Sequence, residues 1–296
     1  MDDLRGAAVM VLAMRGVAIE DALSKLLAGA LPVGQSIGLL GVGGAAVFAV
    51  LCRAQRQPLW QANFLARPVL LRNLAELLGT LGFVTALALI PLSTASAILQ
   101  AAPLLVTLGA AVFFREPVGW RRWAAILVGF GGVMLIIRPG TEGFDWLSLF
   151  AVLGVLGLAV RDLATRKVSF AISSMQLSFL AFLTLIPTSV ILLSVGGVAP
   201  VLPNALQSGL LATAVLIGAL SYFAITYAMR IGDIGFVTPF RYSRMIFALI
   251  IAVIFFGENP DVLTLIGAVV IIASGLYTLW REQVLKLQSK PCPPFC

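Results

Sequence analysis

Four ionisable side chains fall inside runs that otherwise avoid charge: Arg15, Glu76, Arg241 and Arg244. Groups of this kind at membrane depth are costly unless they face a partner or water. The set carries three positive charges and one negative. Arg15 or Arg241 could pair with Glu76, leaving net positive charge suited to a carboxylate or phosphate. The competing reading is internal salt bridging that ties helices together. Arg241 and Arg244 are three residues apart, so they point to roughly one side of a helix.

Two further charged stretches resemble each other. "AIEDALSKLL" (18–27) carries Asp21 and Lys25, and "AVRDLATRKV" (159–168) carries Asp162 and Arg166. Each pair is four residues apart on one helical face, where opposite charges neutralise each other locally. The pairs read either as helix-end anchors or as gates at the two mouths of a path. Glu20 in the first copy becomes Arg161 in the second. On opposite faces of a membrane these two would not pair.

Polar and aromatic neighbours complete a candidate lining. Gln100 aligns with Tyr242 and Ser96 with Thr238, while Tyr222, Tyr227, Phe83 and Thr85 lie in adjoining runs. An aromatic with a polar tip suits a ring-bearing ligand. Pro103 and Pro239 each remove a backbone hydrogen bond within a helix and are candidate hinges. Gly129, Gly131, Gly132, Gly154 and Gly157 read as close helix packing. Glu116 and Glu258, at the ends of the fourth and ninth runs, read as structural.

These residues need elements to hold them. Hydrophobic residues form 60% of the 296, charged residues 11%, and mean hydropathy is +1.04. A soluble domain is about a quarter charged, so the composition indicates a polytopic membrane protein. The start, MDDLR, has no signal-peptide pattern, and the first run reads as a retained span. The chain has no histidine, which excludes histidine-based acid–base chemistry and most zinc sites. Cys52, Cys292 and Cys296 make no disulfide framework. No phosphate-binding "GxxxxGK[ST]" loop occurs, which argues against direct ATP drive.

At about 20 apolar residues per crossing, ten spans are predicted: 5–27, 34–52, 68–90, 94–114, 119–138, 146–166, 174–195, 207–229, 235–256 and 262–281. With both termini inside, the inner flanks hold Arg5, Arg53, Arg56, Arg67, Arg115, Arg121, Arg122, Arg166, Lys167, Arg230, Arg281, Lys286 and Lys290. The outer flanks hold only Lys25 and Arg138. Positive charge marks the cytoplasmic side, so the termini are expected there, in the cell inner (plasma) membrane. Net charge of +7 is therefore topology rather than a sign of nucleic-acid binding.

The halves repeat. Asp21 and Asp162, like Gln35 and Gln176, are 141 residues apart; "FFREP" (113–117) and "FFGEN" (255–259) are 142 apart. Five spans per half invert the second copy relative to the first. Expected units are residues 1–140, residues 141–283 and a disordered cytoplasmic tail, 284–296. Inverted repeats with a site near midplane are a transporter design. The expected fold class is thus all-α integral membrane, ten transmembrane helices in two inverted five-helix repeats.

"FFREPVGWRRWAAILVGFGGVMLIIRPG" and "PFRYSRMIFALIIAVIFFGE" resemble the EamA branch of the drug/metabolite transporter superfamily, over residues 5 to 283. The resemblance includes YddG-like exporters of aromatic amino acids. It implies export of small organic metabolites, amino acids first, by alternating access, from a monomer in the bilayer with no cofactor or metal. Other members of the family move S-adenosylmethionine, riboflavin, purines or drug-like solutes. Two rivals are an intramembrane enzyme, from "IASG" (272–275) and the Asp233 of "IGDIG", and a passive channel. The first lacks a histidine base and the second motif lacks a partner carboxylate.

Overall fold

The computed structural model describes residues 2–115, 119–139, 145–169, 171–231 and 237–288. Glu116, Asp233, Cys292 and Cys296 lie outside the described residues. So do 289–296 of the expected tail. The regular elements among the described residues are helical: α1 (Asp2–Ala28), α2 (Val33–Ala54), α3 (Arg67–Leu89), α4 (Leu92–Leu99), α5 (Ala102–Phe113), α6 (Trp120–Ile137), α7 (Ser148–Thr165), α8 (Ser174–Gly196), α9 (Ala205–Ile231), α10 (Ser243–Phe256) and α11 (Val262–Gln288). With α4–α5 as one crossing, and a 3-10 turn at Thr238–Tyr242 joined to α10 as another, nine described segments are long and apolar enough to span a bilayer. The tenth is α1. Its 27 residues cover about 40 Å at 1.5 Å each, but it carries Arg5, Arg15, Glu20, Asp21 and Lys25.

Chemistry at the ends explains where the helices stop. Pro32 and Pro91 precede α2 and α4, and Pro68 and Pro103 sit in the first turns of α3 and α5. A missing N–H costs nothing in a first turn, and proline's fixed φ favours it. Gly197 and Gly257 end α8 and α10 in the left-handed region that glycine adopts without strain. Pro103 and Pro239, expected within continuous helices, instead sit where spans four and nine break. Gln100 and Ala101 separate α4 from α5, and Pro239 lies in the turn before α10. A proline inside a helix does occur, at Pro187 in α8, where the sequence analysis did not single it out. Residues 284–288 continue α11, because no glycine or proline interrupts the helix there.

The packing is symmetric between the halves. Matching α1 to α7, α2 to α8, α3 to α9, α4–α5 to the 3-10 turn with α10, and α6 to α11, each main contact becomes itself or another contact. Thus α1 on α9 mirrors α7 on α3, while α2–α8 and α6–α11 are their own images. Side chains obey the same rule. Lys25 lies over the Phe256 ring at 5.8 Å and Lys167 over Phe114 at 4.6 Å, both partners shifted by 142. Gln35 exchanges two hydrogen bonds with Val201 backbone (2.6 and 2.9 Å), and Gln176 donates to Pro58 O at 2.8 Å. Each glutamine thereby pins a connection in the other half. Ten crossings in two inverted five-helix repeats account for all of this.

Glycine sets how closely the central helices approach. A Cβ on Gly82 of α3 would lie 2.6 Å from Gly154 N of α7, and one on Gly157 would collide with Gly79 backbone. Gly129 and Gly132 are likewise enclosed, by Leu104 and by Gly267, whereas Gly131 faces open space and serves no close contact.

Candidate functional site

Of the four charges predicted at depth, Glu76, Arg241 and Arg244 sit in two clusters, each bridging the halves, and Arg15 does not. In the first, Arg244 at the start of α10 donates from Nε (3.0 Å) and Nη2 (2.6 Å) to Asp21 Oδ2 on α1. The guanidinium also stacks on Phe83 of α3, 5.4 Å from the ring centre. Glu20, next to Asp21, turns its carboxylate to Gly218 of α9, where a Cβ would lie 2.7 Å away. Glu20 is partly exposed and has no hydrogen-bonding cation among the described residues.

In the second cluster Glu76 of α3 lies between two arginines. Arg161 Nη1 of α7 approaches Oε1 at 3.1 Å, and Arg72 Nη2 approaches Oε2 at 3.4 Å. Arg161 also donates to its neighbour Asp162, Nε to Oδ1 at 2.9 Å. Arg72 reaches the Tyr222 hydroxyl at 3.5 Å, and Tyr222 packs edge-on against Phe48 and Phe182. Arg241 is within electrostatic range of Asp162. Arg241 and Arg244, one turn apart at the break in span nine, therefore join the clusters. Gln100, at the matching break in span four, donates to Tyr242 O at 3.1 Å. The Tyr242 side chain is buried with its hydroxyl against Gly275.

Some expected partners differ. Asp21 and Lys25 do not neutralise each other, nor is the ion pair of Asp162 made with Arg166. Asp21 takes Arg244, and Asp162 takes Arg161. For Asp21 the reason is depth: a buried carboxylate gains more from a guanidinium fork across an interface than from a neighbour one turn along the same helix. Asp162, less buried, takes the adjacent Arg161 of its own helix. Glu76 is not met by Arg15 or Arg241 but by Arg161 and Arg72. Arg15 stays apart from all of these, on the exposed face of α1 with Leu12 and Leu26, more than 100° round the helix from Asp21 at 100° per residue. Its long stem can carry the charge towards the membrane surface. Arg166 ends α7 as an exposed residue.

Lys25 instead closes one end of the site. Its ammonium donates to Leu87 O (3.2 Å) and Ile90 O (2.6 Å) at the end of α3 and approaches Glu258 at 3.8 Å. Glu258, from the second half, accepts from Leu92 N, Ser93 N and Ser93 Oγ at 2.7, 3.0 and 2.7 Å. A cation at helix C-terminal carbonyls and a carboxylate at a helix N-terminus both complement the helix dipoles. The ends of α1, α3, α4 and α10 are tied together here.

Arg72, Glu20 and Arg161 were not among the predicted site residues. Arg72 was visible as the residue four before Glu76 on one face. The other two are the first charges of the repeated stretches, expected to make the two gates electrically different and, on opposite faces, not to pair with each other. The Ser274 hydroxyl of "IASG" donates to Ile271 O at 2.9 Å within α11.

The model of the EamA-like transporter family matches residues 4–138 and 145–280. An S-adenosylmethionine uptake transporter of Rickettsia felis is 31% identical over 72% of this chain and 72% of its own. A riboflavin transporter of Vibrio cholerae is 30% identical over 72% of each. A pseudopaline exporter of Pseudomonas aeruginosa is 26% identical over 91% of this chain and 94% of its own. A solved crystal structure superposes with a TM-score of 0.62 over 96% of this chain and 99% of that one. At 17% identity it shows the fold alone. These relatives are transporters of small metabolites rather than enzymes, which removes the intramembrane-enzyme alternative. The chain belongs to the EamA-like transporter family, and it is a multi-pass membrane transporter of small metabolites.

Proposed function

We propose that the protein is a secondary transporter of amino acids and amino-acid-like metabolites, with S-adenosylmethionine foremost and aromatic amino acids next. The observation that carries this reading is the pair of charge clusters at the breaks of spans four and nine. Each cluster joins residues from both halves, as a site worked by rocking the halves must. The arginines suit a carboxylate, the acidic residues an ammonium or sulfonium, and Phe83 and Tyr222 a ring. S-adenosylmethionine combines these groups, and uptake transporters of that solute stand among the relatives. Arg241 and Arg244 line the path, and the buried contact of Gln100 with Tyr242 O braces the two breaks behind them; Lys25 with Glu258 closes one mouth, and Asp162, Arg161 and Arg166 stand towards the other. Pro103 and Pro239 supply the bends.

Counterflow in proteoliposomes tests this reading. Preloaded unlabelled S-adenosylmethionine should drive transient accumulation of labelled S-adenosylmethionine, with phenylalanine and tryptophan competing and riboflavin not. Accumulation with riboflavin alone would move the assignment to a flavin, and passive equilibration without overshoot would indicate a channel.

The distribution of basic residues supports cytoplasmic termini in the plasma membrane. Reporter fusions at the C-terminus and within 196–204 should report opposite sides. The same side for both would overturn the orientation.

A further inference from the structure

Helices α6 and α11 form an antiparallel pair that is its own image in the repeat, so its two ends are equivalent scaffold. Their chemistry differs. At the end where α6 starts and α11 finishes, a groove of about 440 Å³ runs between the helices on the outside of the bundle. The exposed, small Ala124 and Ala273 leave it open, and Val128 and Val270 line its deep end. From Arg121 to Val128 the helix rises about 10 Å, some two-thirds of one leaflet in a hydrocarbon core about 30 Å thick.

Trp120 and Tyr277 flank the mouth, exposed, as aromatics do at the membrane–water interface. The Arg121 guanidinium stacks over Trp120, 5.5 Å from the ring centre, which leaves its N–H edges free for oxygen acceptors. Arg281 lies one turn beyond Tyr277 on the same face of α11. Among the described residues neither arginine meets a carboxylate. The opposite end of the pair is built otherwise. With the offset of 142, Trp120, Arg121, Ala124 and Tyr277 correspond to Val262, Leu263, Ile266 and Leu135, all exposed aliphatic side chains. The guanidinium at that end, Arg138, is paired with Asp261. The scaffold therefore requires neither a groove nor an unmet positive charge.

We propose that the groove binds an anionic phospholipid, its phosphate on Arg121 and Arg281 and one acyl chain between α6 and α11 down to Val128. The glycerol region then lies level with Trp120 and Tyr277. By the distribution of basic residues the lipid belongs to the cytoplasmic leaflet, where basic pockets between helices take such head groups. A free phosphate would leave the apolar part of the groove empty. A second copy related by a two-fold axis along the membrane normal would bring four guanidinium groups to one depth. The site is distinct from the charge clusters and holds whatever solute is carried.

Native mass spectrometry of the purified, delipidated full chain in neutral detergent tests this. The chain is titrated with phosphatidylglycerol or phosphatidylcholine carrying identical palmitoyl and oleoyl chains. Wild type should bind its first phosphatidylglycerol about 25-fold more tightly, about fivefold for each arginine. Arg121→Gln should remove about fivefold of that preference, and the double replacement with Arg281→Gln all of it. Ala273→Phe fills the groove from an exposed position and should weaken both lipids. Glycerol 3-phosphate in large excess should not displace the phosphatidylglycerol, because it has no chain. Equal affinity of wild type for the two lipids overturns the site, as does a preference that survives in the double variant. Displacement by glycerol 3-phosphate overturns it in favour of a free anion. A wild-type dimer that Ala273→Phe splits, with no lipid preference, overturns it in favour of a contact between copies.

Discussion

Arg244→Gln should reduce counterflow below about 1% of wild type and lower the melting temperature. Removing the guanidinium leaves Asp21 buried without its counter-charge, and breaking such a pair costs about 3–5 kcal/mol. It also removes the cation stacked on Phe83, a further contribution of about 0.5–2 kcal/mol. The double replacement Asp21→Asn with Arg244→Gln separates the two roles. It removes both charges, so melting should recover most of the loss, whereas counterflow should stay below a tenth of wild type. Full recovery of counterflow in the double variant would mean that Arg244 serves only to neutralise Asp21. A carboxylate solute and its amide analogue provide a second comparison: a larger loss for the carboxylate assigns Arg244 to the substrate as well.

Glu76→Gln should produce the next largest effect. The amide keeps shape and leaves Arg72 and Arg161 facing each other across a neutral group. Arg161 retains Asp162, so the chain should still fold, but the link from α3 to α7 loses its charge. Counterflow should fall by about tenfold or more, as expected for a bond to a charged partner. Adding Arg72→Gln should restore part of the melting temperature, because the repulsive member is gone. Unchanged counterflow in Glu76→Gln would show that the α3–α7 cluster takes no part in the cycle.

The long apolar runs and their breaks were legible from sequence because hydrophobic length and proline or glycine chemistry act locally. Spans two, three and eight sit within a few residues of their expected bounds. The 141- and 142-residue offsets also read through, and the contacts of Lys25 and Lys167 with their phenylalanines follow that spacing. Partners did not read through. Whether Asp21 meets Lys25 or Arg244 depends on the rotation of α1 against α10, and a lone helix pattern says nothing about rotation when charge lies on several faces. Arg15 shows the same limit: its depth was readable, its azimuth was not. Glu258 capping α4 was equally hidden, since a cap supplied from 165 residues away leaves no mark near the helix it serves.

The pairing of Asp21 with Arg244 also has a consequence for biosynthesis. The two residues are 223 positions apart. At about 5–20 residues per second, α1 is made roughly 10–45 s before its counter-charge leaves the ribosome. During that interval Asp21 lacks the guanidinium it meets in the folded chain, so the packing of this part of α1 is complete only once α10 is in place. Settling of α1 is then a late event, timed by the arrival of span nine rather than by its own synthesis.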